Sequence, residues 1–273
     1  MVLASDSATT LATPLPNGST AVINTYNNAN KIFNLHKGLP VGAMTWGLGS
    51  LGPASIATVA KDLRRRFQGD DLTPVDWSLV SAAYDVEDVA EKAKAFLYTG
   101  RYDAVESDAE GAGVDPPTLG FLVGGYSAGS DEPRAFVLNF GQPGGPKVDE
   151  ILANTTGAAW WGQPEAIARI LNGFSLAVPD ALATLGVGLD LAQAYSVVEA
   201  VQQQINPQMA PPAMPIQDAI DLAEFLVHST IQFVRFSPGP PTVGGPIEIA
   251  TITKHEGFKW VRRKHFFDSR LNP

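Results

Sequence analysis

Two glycine-bearing motifs and one set of histidines are the places where this sequence could carry chemistry on spacing alone. Gly47-Leu-Gly49-Ser-Leu-Gly52 has the glycine spacing of a dinucleotide-binding turn, where a pyrophosphate approaches the backbone at a helix N-terminus. The helical pattern after it leads to Gln68-Gly-Asp-Asp-Leu-Thr-Pro and a second helical pattern, with no parallel strand bearing a ribose-binding acid. A tight strand-to-helix turn is therefore the favoured reading. Gly125-Tyr-Ser127-Ala-Gly129 matches a nucleophile elbow, with His228, His255 or His265 available as base. Here Gly129 runs into Ser-Asp-Glu-Pro and then a strand pattern, whereas the elbow needs a helix to form its oxyanion hole. A serine α/β-hydrolase using Ser127 stands as the rival enzyme reading. His36, His228, His255 and His265 show no metal-ligand spacing, and cysteine is absent, so neither metal nor cofactor is expected.

The elements that must position any site come from hydrophobic period. Val2 to Ala4 reads as the end of a buried strand. Lys31 to Leu35, Val41 to Trp46, Thr118 to Gly125, Ala135 to Phe140 and Pro246 to Thr253 read as strands, and Phe258 to Val261 pairs with the last of these. Ile56, Val59, Ala60, Leu63 and Phe67 fall at helical spacing behind a Ser55 cap. A second helical region opens at Thr73-Pro74 and reaches about Tyr98, and further helical patterns cover 164–173, 180–205 and 216–235. Trp160 and Trp161 are read as strand neighbours on opposite faces. Residues 10–27, 103–117 and 205–215 are read as loop insertions in a single domain spanning 1–273. Strands and helices come in blocks, without a βαβ rhythm or an internal repeat, which predicts an α+β fold.

The 273 residues are 45% apolar, enough to bury a core without staples, and the formal net charge is −9. That charge argues against nucleic acid as partner. The basic group Lys259, Arg262, Arg263 and Lys264 reads as a solvated terminal segment. No apolar run is long enough to span a membrane, and the first residues lack the basic region of a signal peptide, so a cytoplasmic protein is expected.

Several stretches, in order, resemble the β-type subunits of proteasomes and their bacterial relatives, within the N-terminal-nucleophile hydrolases. They are Val2-Leu-Ala-Ser-Asp6-Ser-Ala-Thr9, Asn30-Lys31-Ile32-Phe33, Val41-Gly-Ala-Met-Thr-Trp-Gly47 and Leu122-Val-Gly124-Gly125. Two more are Val148-Asp-Glu-Ile-Leu-Ala-Asn-Thr-Thr156-Gly157 and Gly244-Gly-Pro-Ile-Glu-Ile-Ala-Thr-Ile-Thr253. The resemblance implies a four-layer αββα sandwich, a threonine-type peptidase ancestry, peptide substrates and assembly into a homo-oligomeric ring. Carried over by motif, Asp6 is the acid that orients a lysine, Lys31 is that lysine, and the N–H of Gly47 is the oxyanion contact. The family's nucleophile is a threonine heading a strand before the one that holds the acid. No residue here matches it, and that first strand is expected to be missing. Ala158 and Val243 stand where the family carries supporting serines, which implies altered chemistry and makes a noncatalytic self-assembling subunit the alternative.

Overall fold

Short apolar runs, buried on both faces at the centre of the sheet, build the main sheet. The computed structural model describes residues 1–14, 20–70, 77–205 and 209–264. Its first strands are β1 (Val2–Ser5), β2 (Thr9–Pro14), β3 (Thr20–Tyr26), β4 (Ile32–Asn34), β5 (Val41–Gly47), β6 (Ser50–Leu51) and β7 (Ala54–Ser55). Later come β8 (Leu119–Tyr126), β9 (Pro133–Phe140), β10 (Lys147–Ile151), β11 (Glu248–Thr253) and β12 (Gly257–Arg262). A five-stranded sheet runs in the order β10-β9-β8-β5-β4 and a three-stranded sheet in the order β1-β11-β12, with every neighbouring pair antiparallel. The mixed strand and helix content is that of an α+β protein.

The odd-numbered face of β5 and β8 carries Val41, Ala43, Leu119, Phe121 and Val123, all buried with Phe136, Leu138 and Phe140 of β9. Two helices close this face. In α1 (Ile56–Phe67) the buried side chains are Ile56, Val59, Ala60, Leu63 and Phe67, and Ser55 caps it by accepting from the Thr58 N–H. In α2 (Val86–Leu97) they are Val86, Val89, Ala90, Ala93, Phe96 and Leu97, and Asp85 is the cap. Both sets repeat at helical spacing, so each helix presents one apolar stripe to the sheet. Each large side chain buried there contributes roughly 1.5–3 kcal/mol.

The even-numbered face of β5 and β8 is lined by glycines and meets the three-stranded sheet. A β-carbon on Gly42 would lie 2.8 Å from the Phe258 ring and 2.9 Å from Ile252, and one on Gly124 would lie 2.7 Å from the Met1 sulfur. Gly120 lies under the ring of Trp46, its cross-strand partner. Helices, sheet and second sheet thus stack in that order.

The residues pack as two units, Met1–Thr155 with Gly244–Pro273, and Thr156–Val243. The second is helical: α4 (Glu165–Leu171), α5 (Val178–Thr184), α6 (Leu191–Ile205) and α7 (Ile216–Phe236). Here α4 packs on α7 through Ile167, Leu171 and Leu226, while α5 packs on α6. Several apolar side chains of this unit stay exposed, Leu185 at 71% and Phe236 at 77% among them. No helix among the described residues is long and apolar enough to cross a membrane.

Local structure departs from the sequence reading in several places. Residues 103–117 are not a loop, since α3 (Asp103–Ala112) occupies most of them and ends at Gly113 in the left-handed region. The helix expected from Thr73 begins only at Val86; Thr73 and Pro74 lie outside the described residues, and 77–85 is turn and irregular chain. The stretch 10–27 is largely the β2–β3 hairpin, with 15–19 outside the described residues. The helical pattern over 180–205 breaks between α5 and α6 at Gly186 and Gly188, both with positive φ. Trp160 and Trp161 lie in irregular chain rather than on a strand. Of 205–215, residues 206–208 lie outside the described residues and the remainder after Ile205 is irregular.

Candidate functional site

Asp6 comes directly after the last residue of β1, and Lys31 precedes the first residue of β4, so two strand ends deliver them to one place. Lys31 is held in register by its carbonyl, which accepts the Thr45 N–H at 2.9 Å. Its Nζ lies 2.6 Å from Asp6 Oδ1. The other carboxylate oxygen, Oδ2, accepts the N–H of Ala8 at 2.9 Å and of Gly244 at 3.0 Å. Three donors fix the carboxylate, and the carboxylate fixes the ammonium. Side-chain exposures of 21% for Lys31 and 13% for Asp6 leave the pair reachable from solvent. A charge-assisted hydrogen bond of this kind is worth about 1.5–3 kcal/mol.

Gly47 ends β5 with φ +81°, a conformation that favours glycine, and its α-carbon packs against the Thr118 carbonyl. Thr45 donates to Lys31 across the β4 side, and Leu48 donates to the Thr118 carbonyl on the opposite side, 2.9 Å in each case. Alternation along β5 therefore turns the Gly47 N–H toward the Lys31 side of the sheet. The structure thus joins Asp6 to Lys31 directly and aims the third predicted residue at the same side.

Next to Asp6 is a polar network that sequence reasoning missed. Lys264, which the sequence suggests is part of a solvated basic segment, is instead interior: its side chain is 5% exposed and that of Glu248 is 1% exposed. Lys264 Nζ donates to Ser7 Oγ at 2.6 Å and to the Ala29 carbonyl at 2.7 Å, and lies 2.9 Å from Glu248 Oε2. That last contact is an ion pair without hydrogen-bond alignment, since Oε2 has no hydrogen-bond partner among the described residues, while Oε1 accepts the Lys264 N–H at 3.3 Å. Ser7 Oγ in turn donates to the Pro246 carbonyl at 2.5 Å. One signal was available: Glu248 interrupts the apolar run Ile247, Ile249, Ala250, and a carboxylate on a buried strand needs a cation.

The rival sites are structurally occupied. Ser127 lies on the β8–β9 connection, accepts the Val86 N–H at 3.0 Å and donates to Asp85 Oδ2 at 2.9 Å, reinforcing the start of α2. Arg134 clamps the same corner, with Nε 2.8 Å from Glu150 and a second nitrogen 2.9 Å from Glu87, and this pairing holds the Glu150 carboxyl below its ordinary range. Gly47 to Gly52 runs through the β6–β7 hairpin, and the sheet on either side of β5 is antiparallel, so no βαβ unit surrounds it. Burial lowers the His36 pKa, and the Asp70 charge opposes that shift less strongly. His265 lies outside the described residues. No group of three or more His, Cys, Asp or Glu among the described residues could hold a metal. Ala158 packs with Trp160 against Ile167, Leu171 and Leu226 in the helical unit. Comparison with protein-family models and with curated proteins gives no match.

Proposed function

We propose that this chain is a proteasome-like subunit of the N-terminal-nucleophile type, built on a four-layer αββα sandwich, whose ancestral chemistry is hydrolysis of peptide or other amide bonds. The observation that carries the reading is the 2.6 Å contact between Asp6 and Lys31, two residues 25 positions apart that the resemblance pairs for a catalytic purpose. The helix–sheet–sheet stacking of the first unit and the direction of the Gly47 N–H support it.

In this reading Lys31 is a fixed positive charge beside the nucleophile. A threonine hydroxyl attacks the amide carbonyl while its own α-amino group takes the hydroxyl proton, and the lysine charge favours the deprotonated forms of both. The Gly47 N–H donates to the oxyanion, the leaving amine receives the proton, and water then hydrolyses the ester. The resemblance puts the nucleophile on a strand beside β1, and no residue of this sequence matches it. Among the described residues β1 pairs only with β11, and alternation turns the backbone groups of Val2 and Ala4 to its other side.

The test is hydrolysis of fluorogenic peptidyl amides by the chain and by Asp6→Asn and Lys31→Ala. Turnover that falls by about 10²-fold or more in both variants, on the scale of one lost electrostatic contact, supports the reading. Absence of turnover, or turnover indifferent to Lys31→Ala, refutes the catalytic role. The exposed apolar side chains of the helical unit favour a second reading, a noncatalytic subunit that self-assembles through them. Light scattering coupled to size exclusion at micromolar concentration tests it, and a monomer mass at every concentration and salt level overturns it.

A further inference from the structure

The side of α1 next to β4 and β12 borders a cleft of about 50 Å³, floored by Ile32, Phe33 and Ala60, that the Asp6–Lys31 site does not use. Asn30, Asn34, Lys61, Arg64, Trp260 and Arg263 line it. Lys61 and Arg64 come from α1 one turn apart, so helical spacing sets them side by side. Arg263 lies over the Trp260 ring at 4.9 Å, which fixes its guanidinium at the rim. The carboxylate at the cleft, Glu248, is already paired with Lys264. Lys61, Arg64 and Arg263 have no ion-pair partner among the described residues, in a chain whose net charge is −9.

Arg64 also carries the second observation. Its Nε is shut off from solvent and has no hydrogen-bond partner among the described residues. A guanidinium N–H sealed in that way is a buried donor without an acceptor, and only a shift of the Arg64 side chain as an anion enters the cleft brings it a partner. Basic residues in the last turn of a helix complement its dipole, and that applies to Arg64, Arg65 and Arg66 alike, of which only Arg64 lines the cleft. It does not account for three cations converging on one recess. With water needing about 10–15 Å³ on this measure, the space suits one tetrahedral or planar oxyanion.

We infer that this cleft binds a single oxyanion group, the phosphate or carboxylate of a small molecule, through Arg64, Lys61 and Arg263 with the two asparagine amides as further donors. Arginine's fork matches both groups. The experiment titrates the full chain with inorganic phosphate and, separately, with N-acetylglycine against its uncharged amide, by calorimetry at constant ionic strength. Saturable binding of phosphate alone assigns a phosphate site, and of N-acetylglycine alone a carboxylate site. Arg64→Ala and Lys61→Ala each weaken the binding roughly tenfold or more, the scale of one charge-assisted hydrogen bond, while the neighbouring Arg65→Ala does not. Lys61 is exposed, so its variant reports even if Arg64→Ala fails to fold. Absence of saturable binding of both anions, or equal weakening by Arg65→Ala and the cleft variants, overturns the inference.

Discussion

Replacing Lys264 by methionine keeps most of the side-chain volume and removes the charge together with the N–H donors that carry it. The substitution leaves behind a Glu248 carboxylate at 1% exposure, with a single long bond from the backbone N–H of residue 264 at 3.3 Å. The Ser7 hydroxyl keeps its bond to the Pro246 carbonyl, but the Ala29 carbonyl loses the ammonium donor. Removing one member of a buried ion pair costs about 3–5 kcal/mol, because the survivor stays desolvated and unpaired. With a urea dependence of roughly 1–3 kcal/mol per molar, the unfolding midpoint falls by about 1 M or more. The double variant Glu248→Met with Lys264→Met recovers most of that loss, because an apolar pair of similar volume is close to neutral in such a setting. Urea unfolding followed by circular dichroism on the wild type, both single variants and the double variant measures the cycle. A loss under about 1 kcal/mol for Lys264→Met is the behaviour of a solvated surface pair and would refute the interior reading.

Ser127→Ala removes the hydroxyl that supports the first turn of α2 and lowers stability by about 0.5–2 kcal/mol, the range for a helix cap. The same protein treated with a fluorophosphonate shows no label at Ser127; labelling lost in the variant would restore the serine-hydrolase alternative. Tyr102 is fully buried and donates to the Pro117 carbonyl at 2.8 Å, and burial pushes its phenol up to about 12 from an ordinary value of 10.0. The neutral phenol is the folded form, so its contribution is complete below pH 10 and is lost as the pH rises toward 12, an amount of roughly 2–3 kcal/mol. Unfolding midpoints of wild type and Tyr102→Phe over that window check it, and identical slopes with pH would contradict the assignment.

Most of the sheet was legible because its central strands are short apolar segments rich in β-formers and bounded by turn residues. The alternation in Val41 to Trp46 and the apolar run of Thr118 to Gly125 locate β5 and β8 within a residue or two. β10 was not legible as a strand: Lys147-Val-Asp-Glu-Ile is a half-solvated edge with two acids, and only pairing with β9 makes it a strand. α3 was read as loop for a related reason, since Ala109 is its one buried residue and its composition is acidic. Thr73-Pro74 carries the residue types of a helix start, yet α2 begins after Asp85, where a side-chain cap and the apolar period coincide. The Asp6–Lys31 contact could be anticipated only through the ordered resemblance of short motifs, because nothing in either residue's neighbourhood announces a partner 25 positions away. Lys264 was hidden by Lys259, Arg262 and Arg263, three exposed cations that give the segment a surface composition.

The recesses at Gly42, Gly120 and Gly124 have a consequence for how this chain can change over evolutionary time. None of the three is required there for turning the backbone; each leaves a gap that a larger side chain fills, Phe258 and Ile252, Trp46, and Met1 respectively. Volume at this seam is supplied from one side and accommodated from the other. A lone methyl gained at Gly42 must displace the Phe258 ring and the Ile252 methyl at a cost of about 1–3 kcal/mol, and a lone methylene lost from Ile252 opens a void. Drift across the seam therefore favours reciprocal exchanges at Gly42 and Gly120, a gain on the glycine side matched by a loss opposite, while Gly124 faces only the flexible end of Met1 and is the least constrained of the three.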